Sequence, residues 1–344
     1  MALSREAFLV VYEHIKDELL ADMPAGRVPE ETREWCRELM DNNVTKGKLV
    51  RGRSVVDTVA VILGRPLTPE ETERASIVGW ALEFLQTASL IADDIMDGSL
   101  TRRGATCRYR RPEIGMIAIN DSFFLEGCSY RILKRHLKGT PYYMPIVELF
   151  QETTWITEVG QLTDALVAHR SKVDLDRFTK VKHEDITEFK SGHNSFYFPI
   201  ALAMILSGEE REEAFTQARE LLLPLGEFFQ IQDDFLDCFA DYDTFGKIGT
   251  DIQDNKASWL IIKALETASP EQRAILQDNY GKDDPTCVET VKSIYRDLGL
   301  PAIFRAYEES SYQELKERVE ASDPSLLPHR VTLMYMNKIY KRQR

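Results

Sequence analysis

The sequence predicts an all-α protein, on three observations. Apolar residues recur at helical spacing through most of the chain, and that 3.6-residue period is the primary sign of an amphipathic helix. Helix-start signals recur as well. Thr68-Pro69-Glu70-Glu71 and Ser269-Pro270-Glu271-Gln272 each supply a hydroxyl cap, a proline at the first helical position and an acidic first turn. No run shows sustained alternation bounded by hairpin turns, which a strand would need.

In chain order, residues 6–20 form an amphipathic helix. Residues 54–63 form another, stopped by Gly64 and Pro66. The segment capped by Thr68 runs on through Ser89 to Asp97. Helices follow over 117–136, 143–167, 187–206, 209–239, 258–266 and 270–280, with more toward the C-terminus. Pro199 lies inside the apolar pattern of 187–206 and predicts a bend there. No Gly/Ser-rich or Pro-rich linker, low-complexity tract or short repeat interrupts the chain, so residues 1–344 read as one domain.

The net charge of −13 argues against nucleic-acid binding by bulk electrostatics. It leaves an anionic substrate open, because metal ions and a few placed Lys or Arg invert the local field. The five cysteines (Cys36, Cys107, Cys128, Cys238, Cys287) are scattered, without the spacing of a zinc site or disulfide framework. The first residues lack a signal-peptide pattern and carry acidic side chains early. The longest apolar run, 196–206, is too short to span a bilayer. A cytoplasmic protein with no membrane span is expected.

One acidic pattern occurs twice, as Asp93-Asp94-Ile95-Met96-Asp97 and Asp233-Asp234-Phe235-Leu236-Asp237. In each, the first and last Asp stand four residues apart and share one helix face. Like charges at that spacing oppose helix formation by roughly 0.2–0.5 kcal/mol per pair. Apolar neighbours (Leu90-Ile91-Ala92, and Phe228, Phe229 and Phe239) make unpaired carboxylates costlier still. A single cluster of this kind reads equally well as a solvated helix face. Two, one followed by Arg102-Arg103, point to bound cations. Oxygen ligands at this spacing suit Mg²⁺, usually completed by water and substrate phosphates.

With these motifs in view, the chain resembles the trans-isoprenyl diphosphate synthases, in particular eukaryotic, fungal-type farnesyl diphosphate synthases. The likeness extends over Gly47 to Gly52, Leu85-Gln86, the first Asp block through Gly104, Gly160-Gln161 with Asp164, and Lys190. It continues through Gln230 to Asp234, Gly246 to Lys256 and Tyr340 to Arg344. It implies one large helical bundle of the isoprenoid synthase type, with a central cavity flanked by two Asp-rich helices. It implies Mg²⁺, three ions per site, with Asp93 and Asp97 holding two and Asp233 the third, and Asp234 and Asp237 supporting. Arg102, Lys190, Lys247 and Lys256 would hold an allylic diphosphate. Lys48, Arg51, Gln86 and Arg103 would hold isopentenyl diphosphate. Ser191 and Gln230 would line the allylic site, and Lys190 and Gln230 would stabilise a cation. The resemblance makes Asp93, Asp97, Arg102, Lys190, Asp233 and Lys247 the catalytic set. A homodimer is implied too, with an apolar surplus over 117–125. Read without the resemblance, Lys48 and Arg51 make an ordinary basic surface turn, and Gln161 with Asp164 a buried polar pair. His193, a lone histidine, is left out of the catalytic set.

The chain departs from the family in places. Farnesyl synthases usually carry bulky aromatics four and five residues before the first Asp; here Ser89 and Ala88 stand there. Ser191-Gly192-His193-Asn194 replaces a usual Thr-Ala-aromatic-Tyr, Phe189 a common Tyr, and Arg108 a usual Trp. Small residues at 88 and 89 predict room for a longer tail. A geranylgeranyl product is therefore expected, with farnesyl diphosphate as the alternative if a neighbouring helix, through Phe123 or Phe124, refills the gap. A terpene cyclase on the same scaffold, or a silent partner subunit, are the other readings. Intact isopentenyl-site residues and complete Asp clusters count against them.

Overall fold

In a computed structural model, residues 3–24, 26–168, 173–240 and 249–340 are described. By backbone proximity the chain falls into two compact units, Met1–Glu152 with Phe198–Ala218 and Ser325–Val331, and Thr153–Tyr197 with Arg219–Pro324 and Thr332–Arg344.

The first unit begins with α1 (Arg5–Ala21) and α2 (Glu30–Leu39), followed by a π turn over Met40–Val44. Neither α2 nor the π turn is evident in the sequence pattern, because α2 is polar over most of its surface and buries only Cys36 and Leu39. Next come α3 (Val50–Leu63) and α4 (Pro69–Met96). Thr68 caps α4 through a full capping box with Glu71, as its sequence predicts. A short hairpin, β1 (Thr101–Arg102) with β2 (Ala105–Thr106), leads to α5 (Ala118–Leu137) and α6 (Tyr143–Ala168).

Trp80 of α4 centres this core. It stacks on Phe8 at 4.3 Å between ring centroids and donates its indole N–H to the Phe8 carbonyl at 2.8 Å. α4 is long and apolar enough to cross a membrane by length and composition, yet 83% of that window is buried in the protein. It is the core helix of its unit.

α3 and α4 meet where Gly52 faces Gly79: a Cβ on Gly79 would lie 2.4 Å from the Gly52 carbonyl oxygen. Backbone cannot yield as a side chain can, so Gly79→Ala should lose about 1–3 kcal/mol or more in urea unfolding. Unchanged stability would mean that the two helices separate freely.

The second unit contains the later part of α6, α7 (Lys180–Ile186) and a π stretch over Thr187–Tyr197. That stretch passes into α8 (Phe198–Leu206), whose residues belong to the first unit. At Pro199, where a bend is expected, the winding changes from π to α just before the proline. Proline lacks an N–H and its ring crowds the carbonyl four residues back, so the ladder cannot stay regular through it. The unit continues with α9 (Glu212–Phe239, from Arg219 onward), α10 (Trp259–Thr267), α11 (Pro270–Asn279), α12 (Pro285–Asp297), α13 (Leu300–Ala321) and α14 (His329–Ile339, from Thr332 onward). Phe235 stacks on Phe304 at 3.9 Å, and Trp259 packs edge-on against the same ring.

Candidate active site

The first Asp motif ends α4, and its three carboxylates part company. Asp94 turns inward, with its side chain 5% exposed, and pairs with Arg102, whose Nε donates to Oδ1 at 2.8 Å. Asp93 is half-buried and accepts from the same guanidinium at 3.0 Å. Asp97, also half-buried, is the C-cap of α4. Asp93 and Asp97 are thus the outward members, and the hairpin returns Arg102 onto the motif.

A second basic group stands beside it in the same unit. Arg51 lies in the first turn of α3, after Leu49 in left-handed conformation at φ 54°. Arg103 follows Arg102 at φ 55°, and a Cβ on Gly47 would lie 2.8 Å from its guanidinium carbon. Lys48 is exposed at the mouth of the turn. Below them lies Glu83, fully buried, which accepts from the Gly52 N–H at 2.8 Å. Burial pushes its carboxyl above the usual range, against the pull of Arg51 and Arg103. Gln86 is buried on the same helix three residues later. The sequence reading missed Glu83; the signal was an acid inside the apolar run 80–85.

In the second unit, glycines let the π stretch lie close to its neighbours. A Cβ on Gly160 of α6 would sit 2.5 Å from the Lys190 backbone nitrogen, and one on Gly226 of α9 would sit 2.3 Å from the Gly192 Cα. One turn from Gly160, buried Asp164 takes both lysines on a single oxygen, Lys190 at 2.7 Å and Lys256 at 2.9 Å. Burial works against its charge, but the two ammonium groups overcome it and hold the carboxyl well below the usual carboxylate range. Two positive charges and one negative leave this group with a net charge of +1. Asp164 is therefore spent on lysines and not on Gln161, whose amide nitrogen is buried without a hydrogen bond.

One turn from Gly226, Gln230 accepts from the Ser191 hydroxyl at 2.8 Å and donates to Asp234 at 3.0 Å. Asp234 is buried and also meets His183 at 3.0 Å and the Trp259 N–H at 2.8 Å. Asp237 accepts from the backbone N–H of Asp251 at 3.0 Å. Asp233 is the half-exposed carboxylate at the start of this motif. Lys247 lies outside the described residues. His193 is mostly buried, and burial, reinforced by Arg219, holds its pKa down to about 4, so it is neutral at pH 7.

Among the described residues, no three His, Cys, Asp or Glu side chains converge on one point that could hold a metal ion. That donor set still fits Mg²⁺, which takes one or two carboxylates and completes its shell with water and substrate phosphates.

The polyprenyl synthetase family model matches residues 33–298. The chain belongs to this family. Across 99% of its length it is 47% identical to farnesyl pyrophosphate synthase of Saccharomyces cerevisiae, covering 98% of that protein. It is 44% identical to farnesyl pyrophosphate synthase 2 of Arabidopsis thaliana, with both chains fully covered. The T. brucei farnesyl diphosphate synthase complexed with minodronate superposes with a TM-score of 0.91 at 30% identity, over 98% of this chain and 99% of that one. The polyprenyl synthetase assignment makes the chain a prenyltransferase with the all-α isoprenoid synthase fold, as expected from its sequence.

Proposed function

We propose that this prenyltransferase is a Mg²⁺-dependent farnesyl diphosphate synthase, condensing isopentenyl diphosphate with dimethylallyl or geranyl diphosphate. The fifteen-carbon product replaces the expected geranylgeranyl diphosphate. The observation that carries this choice is at Ala88. It is only 3% exposed, and the Ser122 hydroxyl of α5 donates to its carbonyl at 2.9 Å. The small side chain at 88 thus lies buried where α5 comes close, while Ser89 beside it is half-buried. Phe123 does not do the filling, being 67% exposed, whereas Phe124 packs against the core that includes Ala88. The names of the relatives support the same product.

In this reading Asp93, Asp97 and Asp233 are the Mg²⁺ ligands. When bound, the ions neutralise the allylic diphosphate and make it a leaving group. Arg102 and the lysine pair held by Asp164 add positive charge for the same diphosphate. The allylic C–O bond breaks with its electron pair leaving on oxygen. The isopentenyl double bond attacks the resulting cation, and the departed diphosphate accepts the proton lost. Lys48, Arg51, Arg103 and Gln86 bind isopentenyl diphosphate, with Glu83 buried near them and accepting from the Gly52 N–H. Incubation with isopentenyl diphosphate and each allylic diphosphate, with product sizing, tests this directly. Release of cyclic terpenes, or no condensation, would overturn it.

Ala88→Phe should force α5 away at a cost of about 1–3 kcal/mol, read in urea unfolding. Unchanged stability of this variant would show free space beside Ala88 and remove the packing argument.

We also propose a homodimer. Trp155, Leu162 and Leu166 are more than half exposed, and with Val159 they line one face of α6; Phe123 is exposed on α5. Sedimentation at micromolar concentration should show a dimer, and a monomer would remove this proposal.

A further inference from the structure

Arg108, where the family usually carries Trp, is a buried charge with an elaborate set of partners. Its side chain is 1% exposed. Nε donates to Asp121 at 2.6 Å, and a terminal nitrogen donates to Glu38 at 2.7 Å. The guanidinium lies over the Trp35 ring, 5.4 Å from its centroid, and the Trp35 indole donates to the other Asp121 oxygen at 2.8 Å. Apolar residues of similar volume often stabilise as well as a buried ion pair, because desolvation offsets the attraction. Stability alone therefore does not account for this network.

What the network ties together is specific. The second oxygen of Glu38 accepts from Arg111 at 2.9 Å and from Asn42 at 2.7 Å. Asn42 lies in the π turn, and the carbonyl of the next residue, Asn43, accepts from Arg103 at 2.7 Å. The path runs from Arg103 through Asn43, Asn42 and Glu38 to Arg108, and the chain between 103 and 108 closes the ring. Arg103 is held in the left-handed region, at φ 55°, a conformation that costs about 1–3 kcal/mol and persists only where its surroundings over-determine it.

We propose that Arg108 is a positioning residue for isopentenyl diphosphate: by pinning Glu38 and Asp121 it fixes the π turn against the hairpin and so holds Arg103 beside Gly47 and Arg51. This rests on reading Lys48, Arg51 and Arg103 as the residues that bind isopentenyl diphosphate.

The test is steady-state kinetics of the full chain, varying isopentenyl and geranyl diphosphate in turn, with a thermal melt of each variant. Arg108→Met should raise KM for isopentenyl diphosphate about tenfold, ~1.4 kcal/mol, with KM for geranyl diphosphate within twofold and kcat largely kept. Arg108→Lys should recover part of the loss. Glu38→Gln, at a side chain 36% exposed, should shift the same KM in the same direction without unfolding, and it decides the matter if Arg108→Met does not fold. Unchanged isopentenyl KM in the folded variants, or equal loss for both substrates, overturns the proposal while leaving the proposed function intact. A wild-type protein that does not condense the two diphosphates removes both.

Discussion

Asp93→Ala and Asp233→Ala should each lower turnover by about three orders of magnitude, ~4 kcal/mol of transition-state stabilisation, while the protein stays folded. The size follows from the chemistry: charge builds on the leaving diphosphate, and Lewis-acid stabilisation of such charge is worth several kcal/mol. The tolerance of the fold follows from the geometry. Asp93 shares Arg102 with Asp94, so its loss leaves the guanidinium paired at 2.8 Å with a buried carboxylate. Asp233 is half-exposed, at the start of its motif. The measurement is kcat at saturating Mg²⁺ and both substrates, beside a melting curve. Near-normal rates in either folded variant would remove the proposed metal sites.

Asp234→Ala, one residue away, should do the opposite and destabilise the protein by about 3–5 kcal/mol. Asp234 is buried and joins three elements: it meets His183 of α7 at 3.0 Å, Gln230 of α9 at 3.0 Å and the backbone N–H of Trp259 at 2.8 Å. Trp259 is the first residue of α10, and Ser258, although placed as an N-cap, makes no side-chain capping bond. Asp234 fills that role from another helix, satisfying an amide that the helix itself leaves unpaired. Truncation leaves these donors buried without acceptors, which costs more than the net worth of the bonds. Asp234→Asn keeps an acceptor oxygen and should lose less. Equilibrium urea unfolding reads the difference; a change below about 1 kcal/mol in Asp234→Ala would show that the amide and imidazole find other partners.

The contrast between Asp233 and Asp234 marks where the sequence stops. Helix class, the capped start of α4 at Thr68 and the pairing of the outward Asp93 and Asp97 at i and i+4 are local properties, written in spacing and in residue types near each helix end. So were the acidic motifs and the basic residues beside them. The role of each carboxylate within a motif was not. Asp94 is drawn inward because a hairpin returns Arg102 to it, Asp234 because α10 begins at Trp259, and Asp237 because backbone amides at 250–251 reach it. The same holds for Asp164, whose ionisation depends on lysines 26 and 92 residues away. It holds for Glu83, buried behind Arg51 and Arg103. Ala88 and Ser89 were read as a gap, but a gap is a property of two surfaces. Side-chain size at 88 is legible in the sequence; the closeness of Ser122 on α5 is decided only when the two helices pack. Local spacing sets which elements form and which residues share a face, whereas burial, pairing and free volume depend on atoms that only the folded chain brings together.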